Sequence, residues 1–128
     1  MLKIGLDFDN TITASLESLR FFQMLTKTFK GQAEIHIITG REVIGKSRKE
    51  TIEELKLLDI HYDHLEMTWD KRQYIIKNKI EIYFDDMDEF IVDLPKSVTV
   101  FKVRENWNFN FTSQQWLYSD KTGTKLKG

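Results

Sequence analysis

Residues 2–11 read LKIGLDFDNT, a short apolar run followed at once by two aspartates. The apolar run predicts a β-strand over residues 2–7, so Asp7 and Asp9 are expected where that strand ends. Two carboxylates about 4 Å apart repel each other by roughly 4 kcal/mol at an effective dielectric constant near 20. A fold that keeps such a pair must relieve the repulsion with a cation, a proton or water, and we interpret the relieving group as a divalent metal ion.

The composition is that of an ordinary folded domain. The 128 residues are 41% hydrophobic and 30% charged, which predicts one domain with its own core. The net charge of −1 means that any contact with nucleic acid would need a local basic patch. The chain has no cysteine, which excludes disulfides, thiolate zinc sites and cysteine nucleophiles. We expect a cytoplasmic protein without a signal peptide or membrane span, because the chain opens on a strand and has no long apolar run.

Strands and helices are predicted to alternate along the chain. Helical spacing of apolar residues predicts a helix over residues 15–29 with Ser15 as its N-cap, and Ser47 and Asp70 are predicted N-caps of two further helices. A short helix over 88–94 is expected to stop at Pro95. The remaining strands are predicted over residues 33–38, 65–69, 80–84 and 98–103. This alternation predicts an α/β fold, a Rossmann-like three-layer sandwich with a mainly parallel five-stranded sheet and helices on both faces.

Polar residues follow three of the predicted strands. Asp7 and Asp9 follow the first strand, Thr39 follows the second, and Asp85 and Asp86 follow the fourth. In parallel sheets of this kind, ligands bind beyond the carboxyl ends of the strands, near the point where the strand order reverses. We therefore expect these side chains to meet at one edge of the sheet.

Taken in order, these motifs resemble those of the haloacid dehalogenase (HAD) superfamily of phosphohydrolases. The likeness covers residues 1–103 and rests on DFDNT at 7–11, ITG at 38–40, a lysine at position 71 and DD at 85–86. Each motif alone is a weak signal. Four of them in the right order, each at the end of the right element, are a strong one.

The resemblance implies a catalytic role for each residue. Asp7 would be the nucleophile that forms an aspartyl-phosphate, and Asp9 would be the general acid and then the general base. Thr39 and the amide of Gly40 would bind a phosphoryl oxygen, and Lys71 would balance the charge of the nucleophile and the phosphoryl group.

The resemblance also implies Mg²⁺ as the cofactor, in a site of oxygen ligands. The ion would be held by the carboxylates of Asp7 and Asp85, by the backbone carbonyl of Asp9, and by Asp86 directly or through water. One dication and one lysine would bring the four converging acids near neutrality. Asp86 could also serve as the N-cap of the helix over 88–94.

The sequence leaves more than one role open for several basic residues. Lys71 is preferred over the adjacent Arg72 because the family uses a lysine at a helix start shortly before the fourth strand. Arg41 could clamp a substrate phosphate through two hydrogen bonds, or it could pair with a carboxylate. Three further cations near it would form a local basic rim: Lys46, Arg48 and Lys49.

The three histidines, His36, His61 and His64, show no metal-ligand spacing with each other. They are expected to be structural or surface residues.

Residues 104–128 differ in character from the core at 1–103, being rich in Asn, Gln, Thr and aromatic residues. The alternation of Phe109 and Phe111 predicts an added strand or hairpin, and residues 122–123 read as a turn. The aromatic side chains of this extension could stack on bases, or they could dock on the core.

The sequence leaves no room for a cap domain. The gaps at 12–38 and 41–70, where the family inserts caps, are filled by predicted helices and strands. The resemblance then implies an open site, which suits a phosphate on a large partner or needs a neighbouring subunit as a lid. TGRE at 39–42 loosely resembles the second motif in the phosphatase half of polynucleotide kinase-phosphatases, which remove 3′-phosphates from nucleic acid ends.

The predicted function is that of a Mg²⁺-dependent phosphomonoesterase acting on a nucleotide or a nucleic acid terminal phosphate. One alternative is a non-catalytic module that binds a phosphorylated partner, and another is a small-metabolite phosphatase capped by oligomerisation. A receiver domain also clusters acids with a lysine. Its adjacent acid pair follows the first strand, however, whereas here the adjacent pair at 85–86 follows the fourth.

Overall fold

The computed structural model describes residues 1–118 and contains a five-stranded sheet in which every neighbouring pair is parallel. The strands are β1 (Leu2–Leu6), β2 (Ala33–Thr39), β3 (His64–Met67), β4 (Ile82–Asp85) and β5 (Thr99–Lys102). Their spatial order is β3-β2-β1-β4-β5. The order reverses at β1, so the loops after β1, β2 and β4 surround the point where ligands bind in such sheets.

Four helices connect the strands, and three of them begin at the predicted caps. They are α1 (Leu16–Thr28), α2 (Arg48–Leu57), α3 (Lys71–Lys77) and α4 (Asp88–Ile91). The side chains of Ser15, Ser47 and Asp70 each accept a hydrogen bond from the backbone N–H three residues later. These bonds satisfy donors that a helix start leaves without a partner, which is why the helices begin at these residues.

The sheet is buried on both faces, which confirms the predicted three-layer sandwich. On one face, side chains such as Leu6 and Ile35 pack with Phe22 of α1 and Leu55 of α2. On the other face, a second cluster packs against α3 and contains Ile38, Ile75, Ile80 and Tyr83. Full burial of a large apolar side chain contributes about 1.5–3 kcal/mol, so these two layers hold the sheet in place.

Gly5, in the middle of β1, makes room for a residue of the site. A Cβ atom at this position would lie 2.9 Å from a ring carbon of Tyr83 and 3.1 Å from the Cδ1 atom of Ile38. The absence of a side chain therefore lets the Tyr83 ring pack close to the β1 backbone. In that position its hydroxyl donates a hydrogen bond to Asp85.

The chain beyond β5 forms a small hairpin, as the alternation of its phenylalanines predicts. Its strands β6 (Phe109–Asn110) and β7 (Gln115–Trp116) pair antiparallel. The predicted turn at 122–123 lies outside the described residues.

Two elements end two or more residues earlier than the sequence predicts. Strand β3 ends at Met67, so Trp69 lies in the loop that follows, where its ring packs against the backbone of Gly40. Helix α4 ends at Ile91 rather than at Leu94.

Within residues 1–118, no domain is inserted at either of the two cap positions: β1 and β2 are linked by a tight turn and α1, and β2 and α3 by a short 3₁₀ turn, α2 and β3. Over the same residues, none of the helices is both long enough and apolar enough to cross a membrane.

Candidate active site

The backbone after β1 separates the two aspartates of the first motif. The amide of Asp7 still donates to the carbonyl of Phe84, at 3.0 Å, so this residue remains tied to β4. Asp9 is extended (φ −67°, ψ 132°), and Asn10 is left-handed (φ 60°, ψ 13°). Asparagine adopts this left-handed conformation more readily than most residues. The resulting turn directs Asp7 inward and carries Asp9 away from it.

Three carboxylates meet at the carboxyl ends of β1 and β4. Asp7, Asp85 and Asp86 each offer one oxygen within 4.8 Å of the others, and all three residues are buried. We call this group the carboxylate cluster. Several carboxylate oxygens around one point form the type of site that binds a hard divalent cation such as Mg²⁺. The structure thus brings together three of the four predicted acids in a cluster that could bind a metal.

Lys71, the first residue of α3, lies inside the carboxylate cluster. Its Nζ atom is 2.7 Å from Oδ1 of Asp7 and 3.0 Å from Oδ2 of Asp85, and the side chain is only 2% exposed. The adjacent Arg72 points elsewhere and donates to the backbone carbonyl of Asp93. Of the two candidates for the third motif, the structure places Lys71 in the site.

The carboxylate cluster holds more negative charge than one lysine balances. Burial, and after it the charge of Asp85, raises the pKa of Asp7 well above its ordinary value. Burial likewise raises the pKa of Asp86, to about 6. Burial disfavours the Lys71 ammonium, but the charges of Asp7 and Asp85 outweigh this effect and raise the pKa of Lys71. The lysine stays charged, and the acids favour the uptake of a proton or a further cation.

Asp85 is the most constrained acid of the cluster. Its Oδ1 accepts the backbone N–H groups of Asp86 (2.7 Å) and Met87 (3.0 Å). Its Oδ2 accepts from Lys71 and from the Tyr83 hydroxyl. A carboxylate has about four acceptor positions, and here all four are used. A metal ion would bind Asp85 directly only by replacing one of these bonds.

Asp86 is held by residues that the sequence motifs did not identify. Its Oδ2 accepts from Nε1–H of Trp107 at 2.8 Å, and the Asn108 side chain donates to its backbone carbonyl at 2.8 Å. The Thr11 hydroxyl lies 3.1 Å from Oδ1 of Asp86 and 3.0 Å from Oδ2 of Asp7, so its single proton can bind only one of the two acids at a time. Two residues of the C-terminal extension therefore position a central acid of the site.

Asp9 lies outside the carboxylate cluster and pairs with Arg41. The Nε and Nη2 atoms of Arg41 are 2.8 and 3.0 Å from the two carboxylate oxygens of Asp9. Nη2 is also 2.6 Å from an oxygen of Glu54, and the guanidinium stacks 4.1 Å from the ring centroid of Phe8. Burial opposes the charge of Arg41, but hydrogen bonds to Asp9 and Glu54 raise its pKa, so the guanidinium stays charged. Carboxylate pairing, one of the two roles predicted for Arg41, is present; a direct contact with substrate stays a prediction.

The pocket over the site is bordered by Thr39 and Gly40, by aromatic rings and by aliphatic side chains. The buried Thr39 side chain accepts a hydrogen bond from the amide of Arg41, at 3.3 Å. A Cβ atom at Gly40 would lie 2.6 Å from the ring of Trp69, so glycine allows that ring to pack over the backbone. The pocket over the cluster is also lined by Ile44, Met87, Phe90 and Trp107.

The predicted basic rim is partly neutralised by the protein itself. Lys46 lies 3.6 Å from Glu54, and Arg48 donates to the carbonyl of Leu65 at 2.9 Å. The Glu54 carboxylate offsets the charge of Lys46, whereas the bond from Arg48 to a carbonyl occupies a donor and leaves its charge unchanged. In the extension, Phe109 is buried and Trp107 lines the pocket, and base stacking by its aromatic residues stays a prediction.

Comparison with known proteins supports the fold. No protein-family model matches the sequence, and neither does any curated protein. A chain of the Pnkp1/Rnl/Hen1 complex is structurally similar, with a TM-score of 0.57 and 19% sequence identity. The match covers 81% of this chain and 46% of that one, so the chain spans about half the length of this neighbour. At this level of identity the likeness concerns the α/β architecture, and function must be argued from the site.

Proposed function

We propose that this protein is a Mg²⁺-dependent phosphomonoesterase of the HAD type, which hydrolyses the phosphate of a nucleotide or of a nucleic acid end. The observation that carries the proposal is the placement of Lys71 between the buried carboxylates of Asp7 and Asp85, at the carboxyl ends of β1 and β4. Phosphoryl transfer needs a nucleophile, charge neutralisation and a proton donor, and the residues around this contact offer all three.

Asp7 is the proposed nucleophile. An oxygen of its carboxylate attacks phosphorus, the bond from phosphorus to the leaving oxygen breaks, and an aspartyl-phosphate forms. Asp9 gives a proton to the leaving oxygen in this step. Asp9 then takes a proton from water as that water attacks phosphorus, which releases phosphate and restores Asp7.

The position of Asp9 suits this proton transfer. Its side chain is 42% exposed and stands apart from the buried acids, so it can reach a leaving group that enters from solvent. Arg41 holds both of its oxygens and thereby fixes the direction of the carboxylate, and one of these two bonds has to open when Asp9 carries the proton that it donates. Arg41 is therefore proposed as a positioning residue that acts through Asp9.

The residues present fit a magnesium ion. Three buried carboxylates share one ammonium, and their donor atoms are all oxygen. Asp7 and Asp86 would hold the ion, with Asp85 giving up one of its present bonds or acting through water, and the resemblance adds the backbone carbonyl of Asp9. When bound, the ion supplies neutralisation of the charge on the transferred phosphoryl group.

The choice of substrate rests on the open mouth and its aromatic walls. Trp69 is 47% exposed beside the site, and Trp107 faces the same pocket. Such rings can stack on a base. The resemblance of TGRE at 39–42 to polynucleotide kinase-phosphatases and the structural neighbour from a complex containing Pnkp1 favour a nucleic acid end over a small metabolite.

The test is phosphate release from a matched panel. It contains an aryl phosphate, mononucleotides, sugar phosphates, and oligonucleotides with a 3′- or a 5′-phosphate, each with Mg²⁺ and with chelator. We expect Mg²⁺-dependent release that is lost in Asp7→Asn and kept in Asp59→Asn. Asp59 is the control because it is exposed, pairs with Lys27 and does not belong to the site. Turnover that survives in Asp7→Asn would refute the mechanism. Tight binding of one phosphorylated partner without turnover would instead identify a binding module.

A further inference from the structure

A second polar group lies at the β2–β3 edge of the sheet. Glu34 and His36 are two residues apart on β2 and therefore point to the same face. The parallel register pairs His36 with His64 on β3. One donor atom from each of the three residues lies within 4.8 Å of the others. We call these three residues the histidine cluster. The pairing of β2 with β3 brings them together, and the spacing of the histidines in the sequence does not indicate a metal site.

Glu34 lies close to both imidazoles of this cluster. Its Oε1 atom is 2.6 Å from Nε2 of His36 and 3.5 Å from Nε2 of His64. Zinc bonds to these atom types measure about 2.0–2.2 Å, which places tetrahedral ligand atoms roughly 3.4 Å apart. The stacked rings have centroids 4.5 Å apart, and His64, with a side chain 53% exposed, has room to rotate toward a shared ion.

Tyr74 holds the buried histidine from the opposite side of its ring. The hydroxyl of Tyr74, on α3, is 2.7 Å from Nδ1 of His36. Histidines that bind metals commonly place their second ring nitrogen in a hydrogen bond of this kind, which fixes the ring and its tautomer. The contact leaves Nε2 directed at Glu34 and His64.

We propose that Glu34, His36 and His64 bind a divalent transition-metal ion, for which Zn²⁺ is the best match. Two imidazoles and one carboxylate form a three-ligand zinc set that leaves a fourth position for water or another ligand. Mg²⁺ prefers oxygen ligands, so the donor atoms distinguish this site from the carboxylate cluster. An ion here would join β2 to the edge strand β3 and stabilise the folded chain.

The test is a zinc titration of the full chain by calorimetry and by thermal unfolding. The protein is first treated with chelator and then kept in excess Mg²⁺, so that the carboxylate cluster does not capture the zinc. We expect stoichiometric binding and a higher melting temperature in the wild type, with affinity at least about tenfold lower in His64→Ala. His64 is chosen because it is exposed, and circular dichroism without metal checks that the variant folds.

Two control variants distinguish zinc bound at the histidine cluster from zinc bound elsewhere on the chain. His61→Ala removes a histidine outside the cluster, and Asp7→Asn disables the proposed phosphatase; both should bind zinc as the wild type does. Nitrogen resonances of His36 and His64 should shift on zinc addition, while those of His61 stay in place. Equal zinc affinity in the wild type and His64→Ala, or unchanged resonances of His36 and His64, would overturn the proposal and leave two stacked histidines beside Glu34.

Discussion

The carboxylate cluster and the histidine cluster share one face of the sheet and one helix, yet they would bind a cation for different reasons. Lys71 of α3 contacts Asp7, and Tyr74, three residues later on the same side of the helix, contacts His36. The carboxylate cluster is buried and rich in negative charge, so its affinity for a cation would be mainly electrostatic. The histidine cluster is partly exposed and offers two nitrogen donors, so its affinity for a metal ion would depend on the geometry and type of its ligands.

Replacing Lys71 with Met should have the largest effect, and only on the carboxylate cluster. It leaves Asp7 and Asp85 buried without their ammonium, which should lower the free energy of unfolding by about 3–5 kcal/mol at neutral pH without metal. Urea denaturation measures this change, and phosphate release should be lost with it. Arg72→Met, the neighbouring exposed cation, should change stability by less than about 0.5 kcal/mol. An equal cost for the two variants would contradict the pairing.

Arg41→Lys tests how Asp9 is positioned at the border of the carboxylate cluster. A lysine cannot hold both oxygens of Asp9 in a fixed plane, so we expect kcat to fall about 100-fold, within the range that general acid catalysis contributes. Steady-state kinetics on the best substrate of the panel provide the measurement, with Arg48→Lys as the matched control. A rise in KM with unchanged kcat would show instead that Arg41 binds the substrate itself.

Tyr74→Phe should affect the histidine cluster alone. The ring and its packing remain, but the hydroxyl beside Nδ1 of His36 is removed, and zinc affinity should fall about tenfold. Calorimetry in excess Mg²⁺ measures the change, and phosphate release should equal that of the wild type. Reduced phosphate release with unaltered zinc binding would show that α3 couples the two clusters in a way that their separate contacts do not explain.

The smallest predicted effect is a pH dependence of the metal-free protein. The pKa of Asp86 is raised from 3.8 to about 6, so the fold favours its protonated form. This stabilisation is present below about pH 4 and is lost as the pH rises through about 6. Urea denaturation across this range measures it, and Asp86→Asn should give a flatter profile. Because Mg²⁺ binds the ionised acids, it should stabilise the protein more at pH 7.5 than at pH 5.

The fold and most of the carboxylate cluster were predictable because their signals are local. Ser15, Ser47 and Asp70 stand at helix starts where a capping oxygen is needed, and all three cap as expected. Asp7 and Asp85 lie at the ends of apolar strands, and parallel pairing brings such ends together without further information.

The remaining contacts could not be predicted because they depend on tertiary structure. His36 meets His64 only through the register of β2 and β3, which no local sequence pattern specifies. Arg41 had two chemically reasonable partners, and only the turn after β1 brings Asp9 within its reach. Trp107 reaches Asp86 from an extension whose docking leaves no local pattern.

The hydrogen bond from Trp107 to Asp86 bears on the order in which the parts of this site form during protein synthesis. The ribosome synthesises the chain from its N-terminus, and domains fold as their segments emerge. The last strand of the parallel sheet ends at Lys102, five residues before the ring that holds Asp86. A nascent chain can therefore complete its sheet before Asp86, a proposed metal ligand, is held in place. On the proposed function, catalytic competence therefore follows the completion of the sheet.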